Sequence, residues 1–371
     1  MNLMTLQEIS KYRSESLPYS LIDQSTYVST ESMLADKRGI TAISKTPSSG
    51  NVKKYYKNDV LVSNIRPYFK KVWLAEYDGT CSNDVLVFHS TGCLPNFLYL
   101  LLSSDAFFSY MTKTSKGTKM PRGDKRAIMK YEVKVPNLQT QLKICEIIDS
   151  FQSKIKVNQQ LNDYLTDLSS AIYNEFINRS SGKWGALSDI VDLIKEPISS
   201  RTRPELPYLP IDVIPMKRIG IEGFRPYEEA KSSLQLFKKD DIVIGAMRVY
   251  FHRVILTPCK GMTRNTCFVL RPRNKNLREF ALLSCFQNET IEFANLHSKG
   301  STMPYAVWKG SFENCPVFIP NEHDLEVFSI RMSPLIDKIR DIYKENSALI
   351  NLRNGLLSQL LSGKIDLSKF N

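Results

Sequence analysis

No two of the seven cysteines form a CxxC pair, and their number is odd. A disulfide framework and a zinc ribbon are both disfavoured, and a reducing, cytoplasmic setting is expected. Histidine is scarce: His89, His252, His297 and His323 are scattered without HExxH spacing, which argues against a catalytic zinc. No GxxxxGK[ST] loop occurs, so ATP hydrolysis in this chain is not expected. There is no Asn-Pro-Pro-Tyr run of the kind amino-methyltransferases use. The longest purely apolar run, Phe97 to Leu102, is far too short to span a bilayer. The opening residues lack the basic start and apolar stretch of a signal peptide.

What is present is enough for two domains. The chain has 371 residues, 42% hydrophobic and 24% charged, so packed cores are expected rather than disorder. Lys and Arg number 50 against 38 Asp and Glu, a net charge of +12. The excess is not spread evenly. Residues 1–138 hold 19 basic and 12 acidic side chains, and residues 184–320 hold 19 and 14. Residues 139–183 balance at 5 and 5, and residues 321–371 at 7 and 7. Two cationic blocks separated by neutral ones point to a polyanion, with nucleic acid the first candidate.

The chain also repeats itself. Ser115-Lys116-Gly117-Thr118-Lys119-Met120-Pro121 returns as Ser298-Lys299-Gly300-Ser301-Thr302-Met303-Pro304, a shift of 183 residues. Upstream, Asp59-Val60-Leu61-Val62 and Arg66-Pro67-Tyr68-Phe69 match Asp241-Ile242-Val243-Ile244 and Arg248-Val249-Tyr250-Phe251 at a shift of 182. Downstream, Val135-Pro136-Asn137 matches Ile319-Pro320-Asn321 at 184. A nearly constant offset over this distance means two homologous domains. In each, β-branched and aromatic runs predict strands, at 59–65, 71–77, 83–89 and 131–135, then 241–247, 253–256, 267–271 and 316–319. Apolar helical spacing predicts one helix over 96–112 and its counterpart over 277–296. An α+β globule fits each half.

A different kind of sequence follows each globule. Residues 138–177 contain neither Pro nor Gly, and as a helix would run roughly 60 Å. Phe151, Ile155, Asn158, Asn162, Leu165, Ser169, Ile172 and Phe176 alternate three and four apart. The same spacing recurs at Leu335, Ile339, Ile342, Asn346, Leu349, Arg353, Leu356 and Leu360. This is coiled-coil spacing, with Asn162 and Asn346 at one step as candidates for setting register. Packing of each helix on its own globule is the simpler alternative. Pro334 is expected to kink or interrupt the second helix. Gly182 and Gly363 mark the two stops.

A basic globule carrying SKGTKMP, a closing strand ending in Val135-Pro136, Gln-rich helical text from Leu138, and the repetition of the whole unit resemble the specificity subunit of type I restriction–modification enzymes, a bacterial defence system. The resemblance spans essentially the whole chain. It implies two homologous target recognition domains joined by two long antiparallel helices that form a coiled-coil spacer with pseudo-twofold symmetry. The expected boundaries are 1–138 and 184–320 for the recognition domains, and 139–183 and 321–371 for the helices. It also implies a non-catalytic subunit that reads a bipartite, asymmetric target in double-stranded DNA. Two modification (methyltransferase) subunits using S-adenosylmethionine, and restriction subunits using ATP and magnesium, would be its partners. Half-sites about 34 Å apart fit helices of this length.

DNA contact needs cations for phosphates and planar donors for base edges. Lys113, Lys116, Lys119, Arg122, Lys125 and Arg126 place six basic residues in fourteen positions. Lys299, Tyr305, Trp308 and Lys309 are the counterpart. The turn after the matched strand offers Arg66, Tyr68, Lys70 and Lys71, against Arg248, Tyr250, His252 and Arg253. Arg264, with Arg201 and Arg203 in the least repeat-like stretch, completes the set. Glu132-Val133-Lys134 has a nuclease-like E-x-K spacing, but its counterpart reads Asn314-Cys315-Pro316. A nucleic-acid-acting enzyme such as a nuclease, or an RNA-binding scaffold, is the alternative reading.

Overall fold

The predicted strands form, and they form twice in the same order. The computed structural model describes residues 2–41, 46–199, 201, 204–221, 223–231, 233–365 and 367. The chain divides into two compact units, Met1–Gln152 with Asn351–Asn371, and Ser153–Ile350.

In the first unit one four-stranded antiparallel sheet runs Ser10–Tyr12, Val85–Ser90, Val60–Ser63, Val72–Leu74. A second sheet runs Ser16–Pro18, Asn51–Tyr55, Gly79–Cys81, Tyr27–Val28, its last pair parallel. A ribbon pairs Asn2–Thr5 with Glu132–Val135. The second unit repeats this strand for strand. Val191–Leu193, Cys267–Pro272, Ile242–Gly245 and Val254–Leu256 form one sheet. Pro197–Ile198, Leu234–Phe237, Gly261–Arg264 and Tyr208–Leu209 form the other, again with a parallel last pair. Gly182–Ala186 pairs with Pro316–Pro320.

The central strand reads as an unbroken apolar run because both its faces are covered. Side chains alternate across a strand, so Val60 and Val62 join a core with Phe97, Leu101 and Phe108. Leu61 faces the other way, toward Tyr55, Trp73 and Val87. Ile242 and Ile244 against Val243 make the same split in the second unit.

Two helical expectations are corrected. Each predicted apolar helix is a pair: Pro95–Leu102 with Asp105–Lys113, and Arg278–Phe286 with Asn288–Leu296. Ser104 restarts the first pair, its hydroxyl accepting the Phe107 N–H at 3.2 Å as an N-cap. Gln287 takes extended backbone and divides the second. The second correction concerns Pro334, which does not interrupt the helix Glu322–Leu361. Pro334 and Ile330, four residues before it, are both exposed. The carbonyl that loses its partner is therefore on the solvent side, and buried Met332 and Ile336 hold the turn in place.

The other long helix is Leu138–Arg179. Within the second unit the two run antiparallel: Asn158 Nδ2 donates to Asn346 Oδ1 at 2.9 Å, and the Phe176 and Phe328 rings lie 4.5 Å apart. Asn162 and Asn346, the expected register pair, do not bond to each other. Asn346 makes the buried cross-helix bond, but with Asn158. Asn162 is 2% exposed, and its amide has no hydrogen-bond partner among the described residues. Each unit also packs helix onto globule: Ile144, Ile148 and Leu360 share the core of Phe97, while Tyr173 and Phe328 stack around Phe280.

Candidate nucleic-acid interface

The strand Val60–Ser63 ends in a turn that doubles back within a few residues. Arg66 and Lys70 both adopt left-handed backbone (φ 49° and 51°) on either side of a single 3-10 turn, Pro67–Phe69. Arg248 and His252 do the same (φ 50° and 52°) around Val249–Phe251. Left-handed backbone costs a non-glycine residue about 1–2 kcal/mol, so two in one turn need support. It comes from the Ser-Lys-Gly loop some fifty residues on. The Arg66 N–H donates to the Pro121 carbonyl at 2.8 Å, and the Arg248 N–H to the Pro304 carbonyl at 2.7 Å.

The loop is closed in the same way in both units. Lys116 and Arg122 exchange two backbone hydrogen bonds (2.8 and 2.9 Å), as do Lys299 and Tyr305 (both 2.9 Å). Gly117 and Gly300 turn the chain at φ 94° and 93°, where a side chain would be strained. The two stretches read separately in the sequence therefore build one surface in each unit. Tyr68 and Met120 lie exposed on the first, and Tyr250, Met303 and Tyr305 on the second, beside Lys116 and Lys299. Exposed rings interleaved with cations fit a base-and-phosphate polymer.

The remaining candidates sort by environment. Lys113, Lys119, Lys125, Arg126, Arg201, Arg264 and Lys309 are exposed. Lys116 pairs with Asp124 at 2.6 Å, and that bond holds the Asp124 carboxyl down to about 2. Lys70 pairs with Asp105 at 2.8 Å. Lys71 is half-buried and donates to the Thr30 carbonyl at 2.6 Å. Arg203 lies outside the described residues. His252 departs from expectation: it is buried, its Nε2 lies 2.8 Å from the Phe286 carbonyl, and burial lowers its pKa. Arg253 is also turned inward, donating to the Ile211 and Ile214 carbonyls. The left-handed turn that presents Tyr250 to solvent sends His252 and Arg253 back into the domain. The E-x-K stretch sits on the closing ribbon, with Lys134 bonded to the Ser362 carbonyl at 2.8 Å. Among the described residues no cluster of His, Cys, Asp or Glu is arranged to hold a metal ion.

The sequence reading passed over some residues flanking this surface, Asp84, Phe268 and Gln235 among them. Asp84 holds Arg122 through Nη2 at 3.1 Å. In the second unit Tyr305, Trp308, Phe268 and Met303 line an open cleft of about 760 Å³, with Asn265 and Gln235 among its polar groups.

Comparison with known proteins agrees with this architecture. Residues 2–167 match the type I restriction modification DNA specificity domain. The chain is 22% identical to the type I restriction enzyme HindI specificity subunit of Haemophilus influenzae, over 97% of this chain and 98% of that protein. It is 20% identical to the MjaIX specificity subunit of Methanocaldococcus jannaschii, over 74% of this chain and 70% of that one. The solved S subunit of a type I restriction–modification system from M. genitalium shares the fold, with a TM-score of 0.55 at 16% identity over 97% and 96% of the two chains. The repeated domain topology, the paired long helices and these likenesses point the same way: the chain is similar to the specificity subunits of type I restriction–modification enzymes.

Proposed function

We propose that this chain is the DNA-reading, non-catalytic subunit of its enzyme, and that each unit recognises one short word of a bipartite, asymmetric duplex target. One observation carries the reading. The same cation-and-aromatic surface, a left-handed Arg66 or Arg248 turn bonded to a Ser-Lys-Gly loop, is built once in each unit. A shared backbone with unlike side chains gives two related readers of two different words. Methyl transfer and cleavage then fall to partner subunits, which would hold S-adenosylmethionine, and ATP with magnesium, respectively.

The helices support docking of modification subunits. Val157, Leu161, Tyr164 and Leu168 are exposed at coiled-coil spacing along Leu138–Arg179, a face suited to a partner helix. No helix among the described residues is long and apolar enough to cross a membrane, and a cytoplasmic location is proposed from the DNA target.

The test is genomic. Long-read detection of methylated adenines, before and after deletion of the chain, is expected to show loss at one split, gapped motif. Unchanged methylation would overturn the proposal. In vitro, Lys116→Ala or Lys299→Ala is expected to weaken binding to all duplexes alike and lower the salt slope by about one. Relaxed preference at one base, with the slope unchanged, would show that these lysines do not act on phosphates.

A further inference from the structure

The two units can be aligned residue by residue around the interface, because their backbone bonds coincide. The Asn64 N–H donates to the Asp84 carbonyl at 2.8 Å, and the Ala246 N–H to the Thr266 carbonyl at 2.9 Å. The Gly123 N–H donates to the Asn64 carbonyl at 3.2 Å, and the Ala306 N–H to the Ala246 carbonyl at 2.8 Å. Ile65 bridges Arg122 where Met247 bridges Tyr305. Each side chain around the interface of one unit therefore has a defined counterpart in the other.

Some counterparts are identical: Arg66 and Arg248, Tyr68 and Tyr250, Lys116 and Lys299, Met120 and Met303. Identical groups at identical addresses cannot tell two words apart, and they fit contacts common to any duplex. Others are opposite in chemistry. Asp84, Arg122, Asp124 and Lys125 in the first unit stand where the second has Thr266, Tyr305, Val307 and Trp308. A charged rim on one unit is an aromatic rim on the other.

We infer that the address shared by Arg122 and Tyr305 is a base-reading position, with Arg122 reading guanine in the word of the first unit and Tyr305 reading thymine in the word of the second. The Arg122 side chain is 54% exposed. Asp84 grips it only through Nη2, which braces the guanidinium and leaves the second Nη2 N–H to form a two-donor edge with its neighbouring nitrogen. A braced, planar donor fork matches the O6 and N7 acceptors of guanine. Tyr305 is 49% exposed and forms the lip of the cleft lined by Phe268, Met303 and Trp308. The thymine methyl is the apolar feature of the major-groove edge, and an apolar wall is what distinguishes it.

This inference rests on the reading of the chain as a DNA specificity subunit. The full-length chain is challenged with duplexes carrying two randomised blocks at varied spacing, and the bound pool is sequenced. Wild type is expected to enrich a split motif with guanine in one word and thymine in the other. Arg122→Lys keeps the charge but removes the fork, and guanine preference is expected to fall about tenfold in one word. The other word and the salt slope stay as they were. Tyr305→Arg is expected to change only the second word, from thymine toward guanine. If Arg122→Lys leaves the motif intact, or either variant alters both words or weakens all sequences equally, the inference is wrong while the parent reading stands. A wild-type chain that enriches no motif overturns both.

Discussion

Asn162 offers a direct test of how the long helices are held together. Its side chain is 2% exposed, and neither Oδ1 nor Nδ2 meets a partner among the described residues. One turn earlier, Asn158 donates to Asn346 Oδ1 at 2.9 Å and to Glu345 Oε2 at 3.0 Å. A buried amide without partners costs about 1–3 kcal/mol, and leucine, of similar size, removes that cost. Asn162→Leu is therefore expected to stabilise the second unit by about 1–3 kcal/mol, which at roughly 2–4 °C per kcal/mol raises Tm by about 2–12 °C. Asn158→Leu is the contrast: it strands the Asn346 carbonyl oxygen and is expected to cost about 1–3 kcal/mol. Urea and thermal unfolding of the full chain, followed by helical circular dichroism, measure both. A loss of stability in Asn162→Leu would refute the reasoning, because it would mean the amide is satisfied and contributes to the seam.

Other perturbations address the domains themselves. Asp241 is 1% exposed and takes both Nε (2.7 Å) and Nη2 (2.8 Å) of Arg271, so Asp241→Ala is expected to cost about 3–5 kcal/mol in denaturant unfolding. His252 titrates below its ordinary 6.5 because burial opposes the charged ring. The unfolded chain thus takes up a proton first, so stability falls as pH drops from 6.5 toward the lowered native value and is flat above it. His252→Gln is expected to remove that slope, as read by urea midpoints across pH. Burial pushes the thiols of Cys267 and Cys315 up to about 11, and those of Cys81 and Cys145 up to about 12. Alkylation of the native chain, mapped by mass spectrometry, is expected first at the half-buried Cys93 and Cys259.

The duplication was legible because a constant shift survives even where few residues agree. Strand placement followed from β-branched runs, since Val60-Leu61-Val62 and Ile242-Val243-Ile244 are apolar on both faces. Other features are long-range or depend on one dihedral angle. Nothing local says that the Arg66 N–H finds the Pro121 carbonyl, so the two basic stretches read as separate candidates. His252 looked like one more cation in a basic turn, yet its left-handed φ and the Phe286 carbonyl draw it inward. The Ser103-Ser104 break was visible as cap chemistry but was masked by apolar spacing that continues across it. Pro334 misled in the other direction, because a helix proline is tolerated where its orphaned carbonyl meets water.

The ribbons that close each globule set one last property. Asn2 lies opposite Val135, and Gly182 opposite Pro320, so the chain enters and leaves each domain at neighbouring points. A domain standing on adjacent feet can be lengthened, trimmed or replaced wholesale while the scaffold beneath keeps its alignment. Under the proposed function, the word each domain reads can thus change while the helices beneath it stay as they are.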